Sequence, residues 1–345
     1  MLYHVKASFD PPVVAIKLVF WFIVTILIMS NQLNFQICPY RLDVVPIILK
    51  LLKKTLGEGT ATRKTNDFWH WKHTVNPFGE SYGLYAWHDE KRIAIGLRIL
   101  MRWQFESPAG EIIHAVRAVD TATHPDFQRR GIFSALTRQA LDNLKQEGVH
   151  LVFNTPNQYS LPGYLKLGWQ VVAKLPMYIK IISPLSMMLK IMRLKPVAQQ
   201  PIQFDKYFSS QILTWQEFAK KYQTAMSMVV SNSEQQRKHV GLRTPRNLAY
   251  LQWRYGEHPH LTYGVYPFKK EGELVGFAVL RPNIRYGLRE IVLTDLFLDS
   301  HMSQLGNPFL KTMRNHLKSD YLIAHFSKGT YEQKILSSMR FLPIP

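Results

Sequence analysis

Cysteine is almost absent from this chain of 345 residues, which contains only Cys38. One thiol cannot close a disulfide within the chain, and it excludes a zinc site built from several cysteines. The sequence also lacks any Asn-x-Ser/Thr glycosylation signal. Both absences favour a cytoplasmic protein, because disulfides and glycans belong to secreted chains.

Acidic residues are scarce: 24 Asp and Glu stand against 43 Lys and Arg, a formal net charge of +19. This charge favours an anionic partner, such as a phosphorylated cofactor, a nucleic acid or an acidic membrane surface. The hydrophobic fraction of 46% supports a packed core and excludes wholesale disorder. The length predicts two or three domains. The thirteen histidines form no His-Glu-x-x-His signature, and the sequence predicts no metal site.

The chain has no uninterrupted apolar run long enough to span a bilayer. Residues 18–29 are uncharged but too few, since a spanning helix needs about 20 residues, and extending the run to residues 13–30 includes Lys17. Three interpretations stay open for residues 1–34: a short membrane anchor, a buried or interfacial helix, or a mis-called gene start upstream of Met29. The anchor interpretation predicts membrane association through residues 13–30, at the inner face of the membrane.

From Phe35 onward the pattern predicts alternating strands and helices. Apolar residues at helical spacing predict helices over residues 43–56 and 133–146, each followed by a glycine. Short β-rich or alternating stretches predict strands at residues 35–40, 83–86, 93–103, 111–123, 151–154 and 170–182.

A proline-bounded segment, residues 183–202, follows the first set of elements. It is predicted to be a linker helix packed between domains, and the alternative is contact with a membrane. Both interpretations rest on an apolar stripe beside three cations: Leu185, Met188, Leu189 and Met192 beside Lys190, Arg193 and Lys195.

The second half of the chain echoes the first. The pattern Phe68-x-x-Trp71-Lys72 recurs 182 residues later as Tyr250-x-x-Trp253-Arg254, and Asp120 has a later counterpart in Asp295. Order and spacing persist across the echo, so the sequence predicts a duplicated domain.

One segment carries the pattern of an anion site. A strand ending near Thr123 is followed by a basic turn, Gln128-Arg129-Arg130-Gly131, and then by a helix. Backbone amides from Arg129 to Ser134 would lie unpaired at the helix N-terminus, where the helix dipole favours negative charge. The pattern therefore predicts binding of a pyrophosphate.

This turn resembles the acyl-CoA-binding motif of the GNAT superfamily of N-acetyltransferases, Gln/Arg-x-x-Gly-x-Gly/Ala. The sequence departs from the motif at its last position, where Phe133 replaces Gly or Ala. A second match follows: Asn157 and Tyr164 lie seven residues apart, and Leu-Gly-Trp closes the pattern at residues 167–169.

The resemblance implies acetyl transfer from acetyl-CoA to an amine, with Tyr164 as general acid for the departing thiolate. A phenol suits this role because its usual pKa near 10 keeps it protonated at neutral pH. It implies that strand residues 117–123 splay from their neighbour to admit the pantetheine arm. The implied cofactor-binding residues are Thr121, Ala122, Thr123, Gln128, Arg129, Arg130, Gly131, Ile132, Phe133, Ser134 and Asn157.

The general base is less clearly indicated. Asp120 is the candidate, with a water relay and a purely structural carboxylate as alternatives. Strand alternation predicts Asp120, Ala118 and Ala122 on one face, and Val119 and Thr121 on the other.

The resemblance further implies two tandem GNAT-like domains of the α/β class, each a mixed, mostly antiparallel sheet flanked by helices. The predicted boundaries are residues 35–182 for the catalytic copy, 183–204 for a linker and 205–345 for a degenerate copy. The second copy has lost the Gln-Arg-Arg-Gly turn, since residues 301–308 read HMSQLGNP. It is expected to shape the acceptor pocket or to stiffen the first copy.

The predicted function is acetyl transfer to a primary amine of a small molecule or an amino sugar by direct attack. Two alternatives remain: a tRNA-dependent aminoacyl transferase of cell-wall precursors, and a non-catalytic CoA-binding protein. The CoA-type turn argues against the tRNA-dependent class, so nucleic acid is not the expected partner.

Overall fold

The computed structural model divides the chain into two compact units. The first holds most of residues 1–173, and the second holds residues 105–112 and 174–345. The structure describes residues 3–7, 35–59, 62–158, 160–192, 202–237, 241–299 and 306–344.

The first unit is built on a seven-stranded sheet with the order β2-β3-β4-β5-β6-β1-β7. β4 and β5 are the longest of these strands, and most of the apolar residues of β4 are buried, as are Ala115, Val116, Ala118 and Ala122 of β5. Among the pairings described, β5–β6 is parallel, whereas β1–β6, β2–β3 and β3–β4 are antiparallel. The strands are β1 (Tyr3–Ala7), β2 (Gln36–Pro39), β3 (Tyr82–His88), β4 (Ile93–Glu106), β5 (Ile112–Thr123), β6 (Leu151–Asn154) and β7 (Gln170–Lys174).

Helices cover both faces of this sheet. Ile48 and Leu52 of α1 and Trp69 of α2 form the core on one face, while Leu136 and Ala140 of α3 pack on the other. The helices are α1 (Val45–Leu56), α2 (Asn66–His73), α3 (Ile132–Gln146) and α4 (Leu161–Lys166). The sequence predicted α1 and α3, with starts that differ by one or two residues, but it did not predict α2.

The second unit is built on another seven-stranded sheet, with the order β14-β8-β13-β12-β11-β10-β9. Its strands are β8 (Met177–Ile181), β9 (Leu213–Thr214), β10 (Gly264–Lys270), β11 (Glu273–Arg285), β12 (Leu288–Leu298), β13 (Tyr321–Ala324) and β14 (Leu342–Ile344). Its helices are α5 (Pro184–Met192), α6 (Trp215–Lys221), α7 (Gln223–Arg237), α8 (Leu248–Leu251), α9 (Gly306–Arg314) and α10 (Tyr331–Ser338).

The two sheets have the same topology. Replacing β2 to β6 by β9 to β13, β1 by β8 and β7 by β14 converts the first strand order into the second. The only parallel pair described in the second sheet, β12–β13, corresponds to β5–β6. The predicted fold class, two mixed and mostly antiparallel sheets flanked by helices, is confirmed.

The strand β8 differs from its predicted place. Residues 177–181 were assigned to the first domain, but β8 pairs with β13 and β14 inside the second sheet. A boundary at residue 182 therefore separates this strand from its partners. The sequence predicted one strand-rich stretch there because the break between β7 and β8 is only two residues long.

Within the part of the chain that the structure describes, no helix has the length and apolarity needed to cross a membrane. The apolar run at residues 13–30, on which the anchor interpretation depends, lies outside the described residues.

Candidate active site

The candidate site lies where β5 and β6 separate. Register pairs join them only from Ala115–Leu151 to Arg117–Phe153. Beyond Arg117, β5 runs on to Thr123, whereas β6 ends at Asn154. Residues 118–123 of β5 therefore have no described pairing with β6, and this open edge of β5 is called the wedge below; the splay of the two strands stays a prediction.

A bulge interrupts β5 inside this wedge. Asp120 has φ +41°, in the left-handed region that side chains other than glycine rarely adopt. The prediction that Ala118 and Ala122 share a face is wrong, because the bulge breaks the alternation. Ala118 packs in the core beneath α3, and Ala122 packs in the core beneath α1 and α2.

Asp120 is the centre of a buried ion cluster. Its carboxylate accepts from Lys72 Nζ at 2.5 Å and lies 3.0 Å from His73 Nε2 and 3.4 Å from Lys64 Nζ. Burial alone would raise the pKa of Asp120, but these neighbours outweigh it and hold the pKa well below its ordinary value. Burial lowers the pKa of His73 and of Lys72, and Asp120 only partly offsets this.

The basic turn leads from β5 into α3. His124 opens a short 3-10 turn, Pro125–Phe127, and Gly131 then takes φ +78° as the N-cap of α3. In the described residues, no acceptor binds the amides of residues 129–134, and the next bond runs from Ala135 N to Gly131 O. Gln128, Arg129 and Arg130 are exposed. The turn thus presents free donors and two guanidinium groups to solvent, which is the arrangement that binds a phosphate.

Tyr164 of α4 points into the protein beside the wedge and is 2% exposed. Its hydroxyl oxygen lies 2.8 Å from Arg98 Nη1. A guanidinium group only donates, so the phenol must be the acceptor of this bond. The phenolic proton is therefore left free, and no described residue accepts it.

Arg98, on β4, was not predicted from the sequence. It is fully buried, and Nη1 also donates to Thr121 Oγ1 at 2.8 Å. No carboxylate of a described residue pairs with it, and its Nε and Nη2 atoms have no hydrogen-bond partner there. An unpaired cation in a core is costly, so its retention suggests a function. The sequence signal that could have identified Arg98 is an arginine within an otherwise apolar strand.

Phe133, where the sequence departs from the motif, packs against the candidate acid. It contacts Tyr164 edge-on at 5.6 Å between ring centroids, and the Arg98 guanidinium lies 5.6 Å from its ring. Trp169 packs against the other side of Tyr164 at 4.7 Å. The Phe133 and Trp169 rings therefore both pack on Tyr164.

Asn157 has a structural position before α4. Its Oδ1 accepts from the amide and from the hydroxyl of Ser160, at 3.0 and 3.1 Å. These bonds hold the turn that leads into the helix of Tyr164. Of the remaining predicted residues, Ile132 is buried at the start of α3, and Thr123 and Ser134 are half-buried near the turn.

Comparison with known proteins assigns this unit to a family. A family model described as an acetyltransferase (GNAT) domain matches residues 47–172. These residues form a GNAT domain. The predicted resemblance is confirmed, and acyl transfer is the chemistry to which such a domain belongs.

Solved structures resemble the fold over a longer stretch than the GNAT domain. A probable N-acyltransferase from Enterococcus faecalis V583 aligns with a TM-score of 0.59 at 14% identity, covering 86% of this chain and 67% of that one. An N-myristoyltransferase from Saccharomyces cerevisiae with bound myristoyl-CoA aligns with a TM-score of 0.55 at 10% identity, covering 98% of this chain and 88% of that one. At such identities these likenesses extend to the fold alone. No curated protein matches the sequence significantly.

The ion cluster of the GNAT domain has a counterpart in the second unit. Asp295 accepts from Arg246 Nη1 and from the Tyr255 hydroxyl, both at 2.6 Å. Arg246 and Tyr255 lie 182 residues after Lys64 and His73, the spacing of the sequence echo. The second unit contains no GNAT-type turn in its described residues, and residues 301–308 of the sequence read HMSQLGNP.

A groove of about 380 Å³ opens beside Arg246 in the second unit. The charges that line it are already paired, Arg243 with Glu106 and Arg246 with Glu234, both at 2.6 Å. Among the described residues, no group of three or more His, Cys, Asp or Glu side chains could hold a metal ion.

Proposed function

We propose that the protein transfers an acetyl group from acetyl-CoA to a primary amine of a small molecule or an amino sugar. One observation carries the proposal: Tyr164 lies beside the wedge, accepts a hydrogen bond from Arg98 and keeps its own proton free. A buried phenol in this state is ready to act as an acid.

The turn before α3 would hold the pyrophosphate of the co-substrate. The unbonded amides of residues 129–134 supply neutral hydrogen-bond donors, and the positive end of the α3 dipole favours a negative charge there. Arg129 and Arg130 add positive charge. The backbone of Thr121, Ala122 and Thr123, along the open edge of the wedge, would hold the pantetheine arm. These free amides also favour an acyl-CoA enzyme over a tRNA-dependent transferase.

The reaction begins when a neutral amine attacks the thioester carbon. The tetrahedral intermediate collapses with cleavage of the carbon–sulfur bond, and the sulfur takes the proton of Tyr164. The phenolate that remains is stabilised by Arg98, whose guanidinium is 2.8 Å away and has no carboxylate to neutralise it. The product amide loses its extra proton, and Tyr164 is reprotonated from solvent.

Asp120 is a poor candidate for the base that takes the amine proton. Its pKa is well below the ordinary value, and three side chains already surround it. The related cluster around Asp295 exists without a CoA turn. We propose that Asp120 positions the β5 bulge and that a water relay removes the proton.

The test is turnover of Tyr164→Phe, measured as free thiol released from acetyl-CoA with a panel of amines. General acids contribute about 10²–10⁴-fold, so we expect kcat to fall by at least about 100-fold. The Kd of CoA, measured by calorimetry, should stay within about twofold, since the phenol acts late in the reaction.

Tyr82→Phe is the matched control, because it removes a hydroxyl that accepts a hydrogen bond from Asn143 on α3. It should leave turnover unchanged. Normal turnover in Tyr164→Phe would remove Tyr164 from the mechanism. CoA binding without thiol release from any amine would favour the non-catalytic alternative, and tRNA binding without CoA binding would favour the aminoacyl transferase.

A further inference from the structure

The helix α5 of the second unit has the reverse of the usual amphipathic orientation. Its polar side chains, Ser186 and Lys190, face the protein, whereas five large apolar side chains are exposed. A helix on the surface of a globular protein ordinarily buries its apolar stripe and exposes its polar one. The exposed fractions are 72% for Leu185, 52% for Met188, 49% for Leu189, 47% for Ile191 and 76% for Met192.

Specific bonds hold α5 in this orientation. Asp320, only 1% exposed, accepts from Ser186 Oγ at 3.0 Å, from Lys190 Nζ at 2.7 Å and from the Arg289 amide at 2.7 Å. Burial would raise the pKa of Asp320, but these donors outweigh it and lower the pKa below the ordinary value. Met187 packs on the small core around Leu288, Val292, Tyr321 and Ile323. The outward apolar face is thus a fixed feature of the fold.

The sequence around α5 is purely basic. From Gly148 to Phe204 the chain contains no aspartate or glutamate. The cations of this stretch are Lys166, Lys174, Lys180, Lys190, Arg193 and Lys195. Lys190 is paired with Asp320, Lys166 belongs to the first unit, and Arg193 and Lys195 lie outside the described residues, so the basic character of the segment is a property of its sequence. A helix with an exposed apolar face in a basic segment complements an anionic lipid surface, where apolar side chains enter the acyl boundary and cations meet headgroups. A second copy of this chain fits less well, because each copy carries a net charge of +19.

We propose that α5 docks the protein on an anionic lipid bilayer, with Leu185, Met188, Leu189 and Met192 entering the headgroup region. This inference does not depend on the acetyltransferase activity. It also does not involve residues 13–30, so the two modes of membrane contact are experimentally separable.

The test is flotation of the full chain with vesicles of phosphatidylcholine containing 30 mol% phosphatidylglycerol. The variant Leu185→Ser/Met192→Ser removes the two most exposed apolar groups of α5. We expect its partition coefficient to fall at least tenfold. The matched control, Met228→Ser/Leu242→Ser, removes two side chains that are 59% and 52% exposed elsewhere in the second unit, and should bind like the native chain.

Two further measurements make the test specific. Binding of the native chain should fall severalfold on raising NaCl to 0.5 M, and should fall similarly on vesicles of pure phosphatidylcholine. Leu185→Trp should show a blue-shifted emission that brominated lipids quench. All substitutions are at exposed sites, so unchanged melting temperatures verify that the variants are folded.

Equal partition of the native chain and Leu185→Ser/Met192→Ser would overturn the proposal and assign any binding to another segment. Unquenched emission from Leu185→Trp on bound vesicles would also overturn it. Absence of vesicle binding together with a dimer that Leu185→Ser/Met192→Ser dissociates would assign the face to a second copy instead.

Discussion

Arg98 places a permanent positive charge inside the first unit, where its only hydrogen-bond acceptors among the described residues are the hydroxyls of Thr121 and Tyr164. Burying an unpaired charge lowers the stability of a protein. In the mechanism proposed above, the same charge would stabilise the Tyr164 phenolate. On that mechanism, Arg98 would lower stability while raising turnover.

Arg98→Met tests whether the buried charge raises turnover and lowers stability. We expect kcat to fall about 10–100-fold, the range for loss of a hydrogen bond to a charged group, while the melting temperature holds or rises. In a Tyr164→Phe background the same substitution should add little further loss, because both groups act on one proton. A fall in melting temperature with additive effects on kcat would indicate a merely structural arginine.

Gly131 and Gly148 form a natural pair at the two ends of α3. Their φ angles are +78° and +76°, and a Cβ on either would meet no atom within 4 Å. Gly131→Ala and Gly148→Ala should each cost about 1 kcal/mol of folding free energy through backbone strain. Only Gly131→Ala should weaken CoA binding, measured by calorimetry. Equal affinities in the two variants would argue against a phosphate site at the turn.

The candidate site could be predicted from the sequence only where its parts lie close together in the chain. The turn at residues 128–134 and the pattern from Asn157 to Tyr164 are local, so their chemistry follows from spacing. Arg98 lies 66 residues before Tyr164, and only the pairing of β4 with its neighbours brings them together. The bulge at Asp120 was missed because no glycine marks it.

At the scale of elements, α2 is tied to β5 through the ion cluster. His73 Nδ1 is hydrogen-bonded to Ser81 Oγ at 2.9 Å, and His73 Nε2 is hydrogen-bonded to the Asp120 carboxylate. The ring therefore connects the end of α2 to the bulge in β5. Burial lowers the pKa of His73 below its ordinary 6.5, which leaves the folded ring neutral where the unfolded one is charged. The unfolded state thus binds more protons, and stability falls as pH drops below about 6.5.

We therefore expect the melting temperature of the first unit to decrease between pH 7.5 and pH 5. His73→Gln should reduce the slope, since its amide cannot take up a proton. The slope should not vanish, because burial also lowers the pKa of His124 in the first unit. His150→Gln, at an exposed ring, is the control and should keep the native slope. An unchanged slope in His73→Gln would contradict the assignment.

The ion cluster around Asp120 predicts what happens when the charge of this aspartate is removed. Asp120→Asn would leave Lys64 and Lys72 without their carboxylate, and breaking a buried ion pair costs about 3–5 kcal/mol. The counterpart Asp295→Asn should destabilise the second unit in the same way, as measured by chemical denaturation. Loss of turnover in Asp120→Asn without loss of stability would instead favour a catalytic base.

At the scale of the whole molecule, the two units share a sheet topology but differ at the turn before α3. The sheets repeat one strand order and one ion cluster, yet the described residues contain a GNAT-type turn only before α3. We expect calorimetry to give one CoA bound per chain, and Gly131→Ala to weaken that single event. A stoichiometry of two would show that the second unit retained a site without the motif.

The sequence echo was recognisable because residues 68–72 and 250–254 keep aromatic and basic side chains 182 positions apart, and an aspartate recurs 175 positions apart at Asp120 and Asp295. The paths of β1 and β8 were not predictable. Each strand precedes its repeat in the chain and inserts between the sixth and last strands of its sheet. Such pairing depends on contacts with strands that are distant in the sequence, and the five residues of each strand do not specify it.

The placement of β8 has a consequence for how the chain is made. Its partner β13 lies about 140 residues further along, so a ribosome adding roughly 5–20 residues per second leaves β8 waiting for about 7–28 s. During that interval Met177–Ile181 is an apolar strand with both edges open. Newly made chains should therefore depend on chaperones, and pauses in translation downstream of residue 181 should lower the yield of native protein.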